Sequence, residues 1–579
     1  MFELRFKHHE QIKVTYEKFQ LEEGLLEYKI TLEQEELTEF APVVMSWDYP
    51  LIDAHYYWFP LNGTTRKLRA DYHKGLLSKA TISAPVAIYY NASGENRLTC
   101  ALSDALNTVA LAMGVREENG RIVCKAELFT EPTKPARHYE VKLRLDNRNV
   151  PYYKALKDVS FWWESFDLLQ PSEVPQVAKK PMYSTWYSFH QKMTDEEIEV
   201  QCQLAKSMGC EAVIVDDGWQ TSDNQRGYAY TGDWEVCVEK FPDMKAHVER
   251  VHAMGMKYLL WYSVPYIGVK SNIWNRFKDK VLFLTERNSS ATLDPRFPDV
   301  REYLINIYEK ALQEWDLDGF KLDFVDRFGL VDRENMPAYN ELMDYISVDE
   351  AVDRLLSDVM KRLKAIKPDI MIEFRQKYIG PLMRKYGNIF RVGDCPADFA
   401  TNRSGICDIR LISGNTVAHA DMIMWNEEDH VESAALQINN IIFGVPQISM
   451  KLEKLKDEHR KMVAFWLDFY NKYQDVLLDG ELMPHHPEQQ YPVVEARDNE
   501  KHIIGVYADH VVKLNALVDE TVIVNGKLTE KVYLDCGVDV KGKLTIYDCC
   551  GREVNQEVIS WKAGLHQVYV PASGLLTII

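Results

Sequence analysis

The nine residues DGFKLDFVD, 318–326, carry three aspartates and a lysine through an apolar run of strand type. Side chains alternate along a strand, so Lys321 and Asp323 share one face and Leu322 takes the other. A carboxylate beside an ammonium stays ionised, which suits a nucleophile or a hydroxyl-binding group. Asp318, before the strand, is expected to be structural, and Asp326, beyond it, to brace the loop. Similar endings recur. EAVIVDDGW (211–219) ends in Asp216 and Asp217, and MKYLLWYSV (256–264) carries Trp261. IMIEFR (370–375) holds Glu373 and Arg375, IFRVGD (389–394) holds Arg391 and Asp394, and MYSTWYSF (182–189) holds Trp186, with His190 next. One strand-end aspartate is ordinarily a helix N-cap. Six strands ending in such residues define a shared pocket.

That pocket is rich in carboxylates and indoles, with a few cations. It lacks the HExxH spacing of a zinc hydrolase, and the chain lacks a glycine-rich phosphate loop. Clustered aspartates suit magnesium, but an ammonium at Lys321 would repel the ion, so neither a metal nor a cofactor is expected. Carboxylates with indoles point to sugar chemistry, in which one carboxylate attacks the anomeric carbon and another protonates the leaving oxygen. Asp323, beside Lys321, fits the ionised nucleophile. Asp394 fits the acid, although Arg391 favours its charged form, and Asp398 in GDCPAD (393–398) is a rival. A retaining pair requires the two carboxyls about 5–5.5 Å apart.

Holding these residues in a ring requires a particular scaffold. Eight strand-like segments, the six above with ADMIMW (420–425) and PQISMKL (446–452), alternate with helix-compatible connections. TDEEIEVQCQLAKSMG (194–209) opens on a capping box at Thr194 and Glu197, and 348–366 has apolar residues at helical spacing. This is the pattern of a (β/α)8 TIM barrel, whose chemistry sits at the strands' C-terminal ends. Residues 1–170 read as an N-terminal β-sandwich, 171–480 as the barrel and 481–579 as a small C-terminal β-domain of sandwich type. Proline-rich 168–181 reads as a linker. The aromatic stretch 44–60 is either core or a loop bringing Trp47 or Trp58 over a neighbour's pocket. The 579 residues have a net charge of −19 without a basic cluster, which argues against nucleic acid. No run is apolar enough to span a membrane. The ten cysteines show no metal spacing and are expected to be reduced. A cytoplasmic protein acting on an oligosaccharide or glycoside is expected; no oligomeric state follows from the residues.

DDGWQ (216–220), GDWEVCVEKFPDMKAHVERVHAMGMKYLLW (232–261) and DGFKLDF (318–324) resemble the retaining α-galactosidases of glycoside hydrolase family 36 and its clan. The similarity is strong over about 180–330, fair to about 425 and architectural elsewhere. It implies the three-part domain order, with Asp323 as nucleophile and Asp394 as acid/base. It further implies that Asp216 and Asp217 bind galactose hydroxyls, that Lys321 and Arg391 are sugar-binding cations, that Trp186 and Trp261 line the subsite, and that Glu373 meets the sugar. The chain departs from the family after strand five, where EFRQK (373–377) replaces a Cys- and Gly-rich segment, and at GDCPAD. Strand three likewise has WYSVP where relatives place a carboxylate. Another α-linked sugar such as an α-N-acetylgalactosaminide, transfer in place of hydrolysis, or sugar binding without catalysis therefore stand as alternatives.

Overall fold

The computed structural model describes residues 2–61, 63–331 and 334–579. Eight parallel strands form the central sheet: β1 (Met182–Ser184), β2 (Ala212–Val215), β3 (Lys257–Ser263), β4 (Gly319–Asp323), β5 (Met371–Arg375), β6 (Ile389–Arg391), β7 (Val417–His419) and β8 (Gln447–Ile448). They run in the order 7-6-5-4-3-2-1-8. A parallel bridge from His419 to Val445 brings the two ends together. The sheet is thus a nearly closed (β/α)8-type barrel, flanked by antiparallel sheets from the N-terminal end of the chain and mixed sheets from the C-terminal end. The strands are short and almost wholly buried, as expected where helices cover a parallel sheet.

Around the sheet lie α-helices Asp195–Ser207, Met244–Ala253, Pro298–Trp315, Val348–Ile366, Phe399–Arg410, Val431–Asn439 and Asp457–Asp479. The Thr194 side chain accepts from the Glu197 N–H, as its capping box requires. One connection differs from expectation: between β5 and β6 the chain makes only a 3-10 turn, Met383–Lys385. The N-terminal region packs there instead. Ser83 N donates to Lys377 O at 3.0 Å, and Ser172 N to Arg384 O at 2.8 Å. Arg384 pairs with Glu164 at 2.7 Å. A further difference is β7, which ends just before the ADMIMW run; that run instead follows the strand and carries its loop residues.

The N-terminal region forms five- and six-stranded antiparallel sheets around their own core, which includes Trp47. It also contains a helix, Tyr152–Glu164, that the all-β reading missed. Its Trp163 indole is wholly buried and donates to Leu102 O at 2.9 Å. Residues 168–181 do not form a loose linker: Leu169 and Ala178 join the barrel core. Trp58 is also core. Its indole donates at 2.8 Å to Asp408 on helix Phe399–Arg410, so within the chain it braces the barrel and does not overhang the pocket. Both Asp408 oxygens also accept from Arg66 Nη2 at 3.0 Å, and Oδ1 accepts from the Tyr491 hydroxyl at 2.5 Å. One carboxylate thus joins the N-terminal sheet, the barrel and the C-terminal segment. The last hundred residues form seven- and three-stranded sheets over a small core of their own. All ten cysteines are free thiols, and among the described residues no helix is long and apolar enough to cross a membrane.

Candidate active site

β4 ends in the Lys321 and Asp323 pair. Asp323 Oδ1 accepts from the Tyr378 hydroxyl at 2.6 Å, Arg375 Nε at 2.7 Å and the Phe324 N–H at 2.7 Å. Among the described residues its Oδ2 accepts only from the Trp261 indole, at 3.1 Å. Burial alone would push this carboxyl's pKa up. Arg375, Lys321 and the Tyr378 and Trp261 donors outweigh it and hold the group well below the usual carboxylate range. Phe324 reaches Asp323 from a left-handed backbone, φ +63°, an uncommon conformation for a bulky residue. Arg375 stacks over its ring, 5.2 Å from the centroid. Asp318 lies at the opposite end of the strand. There it receives His252, Lys257, Lys367 and the Tyr258 N–H, the structural role expected of it. Asp326 is half-buried beyond the strand, and burial raises its pKa; among the described residues its Oδ1 makes no hydrogen bond.

Lys321, one layer below Asp323, donates to Asp216 Oδ2 at 2.5 Å, so the two motifs meet across the barrel. Asp217 accepts from Gln191 and Gln220, each at 2.7 Å, and burial pushes its pKa up to about 7. The glycine of DDGW is required here. Gly218 has φ +123°, and a Cβ would come within 2.6 Å of Gln191 Cα, dislodging the residue that holds Asp217. The lysine of KFP acts just as locally, since Lys240 Nζ ties Gln191 O, Gly218 O and Asn224 together. Trp219 is wholly buried and donates to Trp261 O at 2.9 Å.

β6 and the loop after it supply the second carboxylate. Asp394 bonds Arg391 Nη2 at 2.9 Å, and its side chain is 46% exposed against 9% for Asp323, so it stands at the rim. Burial raises its pKa, but Arg391, Arg375 and Lys321 together pull it below the ordinary value. Asp398 caps helix Phe399–Arg410, accepting from the Thr401 N–H and hydroxyl at 3.0 and 2.6 Å. Glu373 is fully enclosed beside Lys321 in register, accepts from Gln447 at 2.6 Å and faces Arg391 at 3.5 Å. Trp186, half-buried on the short helix Trp186–Phe189, lies edge-on to His190.

Asp216, Trp261, Lys321, Asp323, Arg391 and Asp394 are thus joined by hydrogen bonds and charge, Asp217 lies beside Asp216, Glu373 is enclosed level with Lys321, and Trp186 meets His190. Sequence reasoning missed Tyr378, Gln191 and Lys240, and noted Arg375 without giving it a role. It also missed Asp421, just past β7, because that strand was placed over it. Among the described residues, Asp195, Glu199 and His247 form a group of metal-ligating type. They lie on the outer helices, with Arg250 Nε already on Glu199 at 2.8 Å.

Residues 168–376, which span β1 to β5, match the melibiase family. The α-galactosidase Mel36A of Lactobacillus acidophilus is 24% identical over 328 residues, 52% of this chain and 42% of its own length. The α-galactosidase AgaA of Geobacillus stearothermophilus is 23% identical over 189 residues, 30% of this chain and 26% of its own. These matches thus span less than half of each curated relative. A crystal structure of an AgaA variant with 1-deoxygalactonojirimycin superposes with a TM-score of 0.66 at 13% identity, covering 98% of this chain and 82% of that one. Another AgaA variant was solved with raffinose, at TM-score 0.65. The likeness of fold thus extends beyond the melibiase segment to nearly the whole chain.

Proposed function

We propose that this protein is a retaining α-galactosidase that removes terminal α-linked galactose by double displacement. The observation that carries the reading is the asymmetry at Asp323: three donors hold Oδ1, leaving Oδ2 with a single long bond and a lone pair for the anomeric carbon. Attack by Oδ2 breaks the bond from C1 to the leaving oxygen, which takes the Asp394 proton. A water then gives its proton to Asp394 and adds to C1, releasing Asp323 and a sugar of retained configuration. Asp216, Asp217, Lys321 and Arg391 hold the ring hydroxyls, and Trp186 and Trp261 flank its apolar face. The domains divide as 1–170, 171–480 and 481–579, and the substrate is an oligosaccharide or glycoside.

Wild-type protein should hydrolyse p-nitrophenyl α-galactoside, releasing α-galactose first by NMR. Asp323→Ala should fold, lose all but a trace of activity and regain turnover with azide. Near-full activity in that variant would defeat the assignment. A panel of aryl α-glycosides, with transfer products measured, separates this reading from another sugar preference or from transglycosylation.

A further inference from the structure

Asp421 is fully buried and ionisable, yet the reaction above gives it no role. It stands where four elements meet. Its Oδ1 takes Arg391 Nη1, and its Oδ2 accepts from the Tyr187 hydroxyl at 2.8 Å and the Cys395 N–H at 2.7 Å. Asn402 grips its backbone from both sides, accepting from the Asp421 N–H at 2.9 Å and donating to its carbonyl at 2.8 Å. Arg391 is thereby divided: one terminal nitrogen serves Asp421, the other serves Asp394, and Nε faces Glu373. That ion pair is the one hydrogen bond Asp394 makes among the described residues.

We propose that Asp421 is a positioning residue for this reaction, sharing Arg391 with Asp394 so that Asp394 can carry a proton, and pinning the Cys395 N–H so that Asp394 stays aimed at the pocket. The inference rests on the reading of Asp394 as the acid/base. The charges acting on Asp394 are Arg391 from β6, Arg375 from β5, and Lys321 and Asp323 from β4. Asp421 beyond β7 and the Tyr187 phenol act on it as well. Two cations from β4 and β5 already favour the charged carboxylate, so an uncompensated Arg391 would leave little acid at neutral pH. Asp421 supplies the compensating charge from behind, out of contact with the substrate.

Asp421→Asn keeps the shape and removes the charge. The alkaline limb of kcat/KM should then move down by about one unit, the low end for loss of a neighbouring charge, making the variant about tenfold slower on that limb. The deficit should be larger for methyl α-galactoside, which needs a proton on its leaving oxygen, than for the p-nitrophenyl compound. Tyr187→Phe withdraws a donor that favours the charged Asp421 and should move the limb the same way by a smaller amount; it decides the matter alone if Asp421→Asn does not fold. The Asp394 carboxyl, followed by 13C NMR titration, should shift in the same directions whether or not the protein turns substrate over. An unmoved titration and limb in folded variants, or an equal loss at every pH and on both substrates, would overturn the proposal. Absence of activity in the wild type with the titrations shifted as stated would sink the galactosidase reading and spare the coupling.

Discussion

Arg375 offers the sharpest test of the electrostatics at Asp323. Its Nε lies 2.7 Å from Oδ1. A hydrogen bond to a charged group contributes about 1.5–3 kcal/mol. At about 1.36 kcal/mol per unit, replacing Arg375 with glutamine should raise the Asp323 pKa by about one to two units. The same guanidinium acts on Asp394 without touching it, so Asp394 should rise by less. Both carboxyls are held below their ordinary values in the wild type, so both limbs of the kcat/KM profile should move upward, the acid limb further. The bell narrows and its maximum moves toward neutrality. Arg375→Lys, which keeps a charge but not the planar fork, should give a smaller displacement. The assay is kcat/KM for p-nitrophenyl α-galactoside across the acid and neutral range, with thermal melts to confirm folding. A loss of rate that leaves the acid limb in place would refute the argument, because it would mean that Arg375 shapes the pocket without setting the charge on Asp323.

Other carboxylates give independent tests. Asp398→Ala removes an N-cap and should cost about 0.5–2 kcal/mol of stability while leaving most activity; abolished activity in folded protein would make Asp398 the acid instead of Asp394. Asp408→Ala strands the buried Arg66 guanidinium at the three-way junction and should cost about 3–5 kcal/mol in urea unfolding, and a loss below about 1 kcal/mol would show that the junction is not energetically coupled. Asp349, on helix Val348–Ile366, is pushed by burial up to about 7, with Thr108 as its hydroxyl partner at 3.4 Å. Between the ordinary carboxylate value and that one, the folded state holds a proton the unfolded chain has released. Stability therefore falls as pH rises from about 4 to about 7, by up to about 1.36 kcal/mol per unit. Asp349→Asn should match the wild type near the lower limit and melt increasingly higher than it toward the upper one; a gap that fails to grow with pH would contradict that assignment.

Much of this was legible in the residues. Period-two alternation at Lys321 and Asp323, and a capping box at Thr194, are local signals that tertiary packing leaves intact. What escaped was set by non-local packing. β7 is only three residues long, Val417–His419, and contains a histidine; the more apolar ADMIMW run beside it drew the strand assignment, and Asp421 was hidden inside that run. The absent helix between β5 and β6 was equally out of reach, because what fills its place comes from residues 83, 164 and 172. Depth along the barrel axis is a matter of register: pairing with Lys321 sets Glu373 level with that lysine, and Arg375, two residues on, reaches Asp323.

That arrangement explains why motif spacing points to Asp323, the proposed nucleophile, more readily than to Asp394, the proposed acid. In the proposed reaction Asp323 needs a fixed negative charge, and Lys321 on its own strand with Arg375 on the next one provides it. Asp394 would have to gain and lose a proton beside the same cations, so its environment has to be balanced by groups on several elements. Arg391 is the hinge of that balance, with carboxylates at Asp394, Asp421 and Glu373 around one guanidinium. A short sequence motif records the first requirement because strand geometry fixes neighbours two residues apart. It cannot record the second, since Arg391 and Asp421 are 30 residues apart and meet only when the barrel closes.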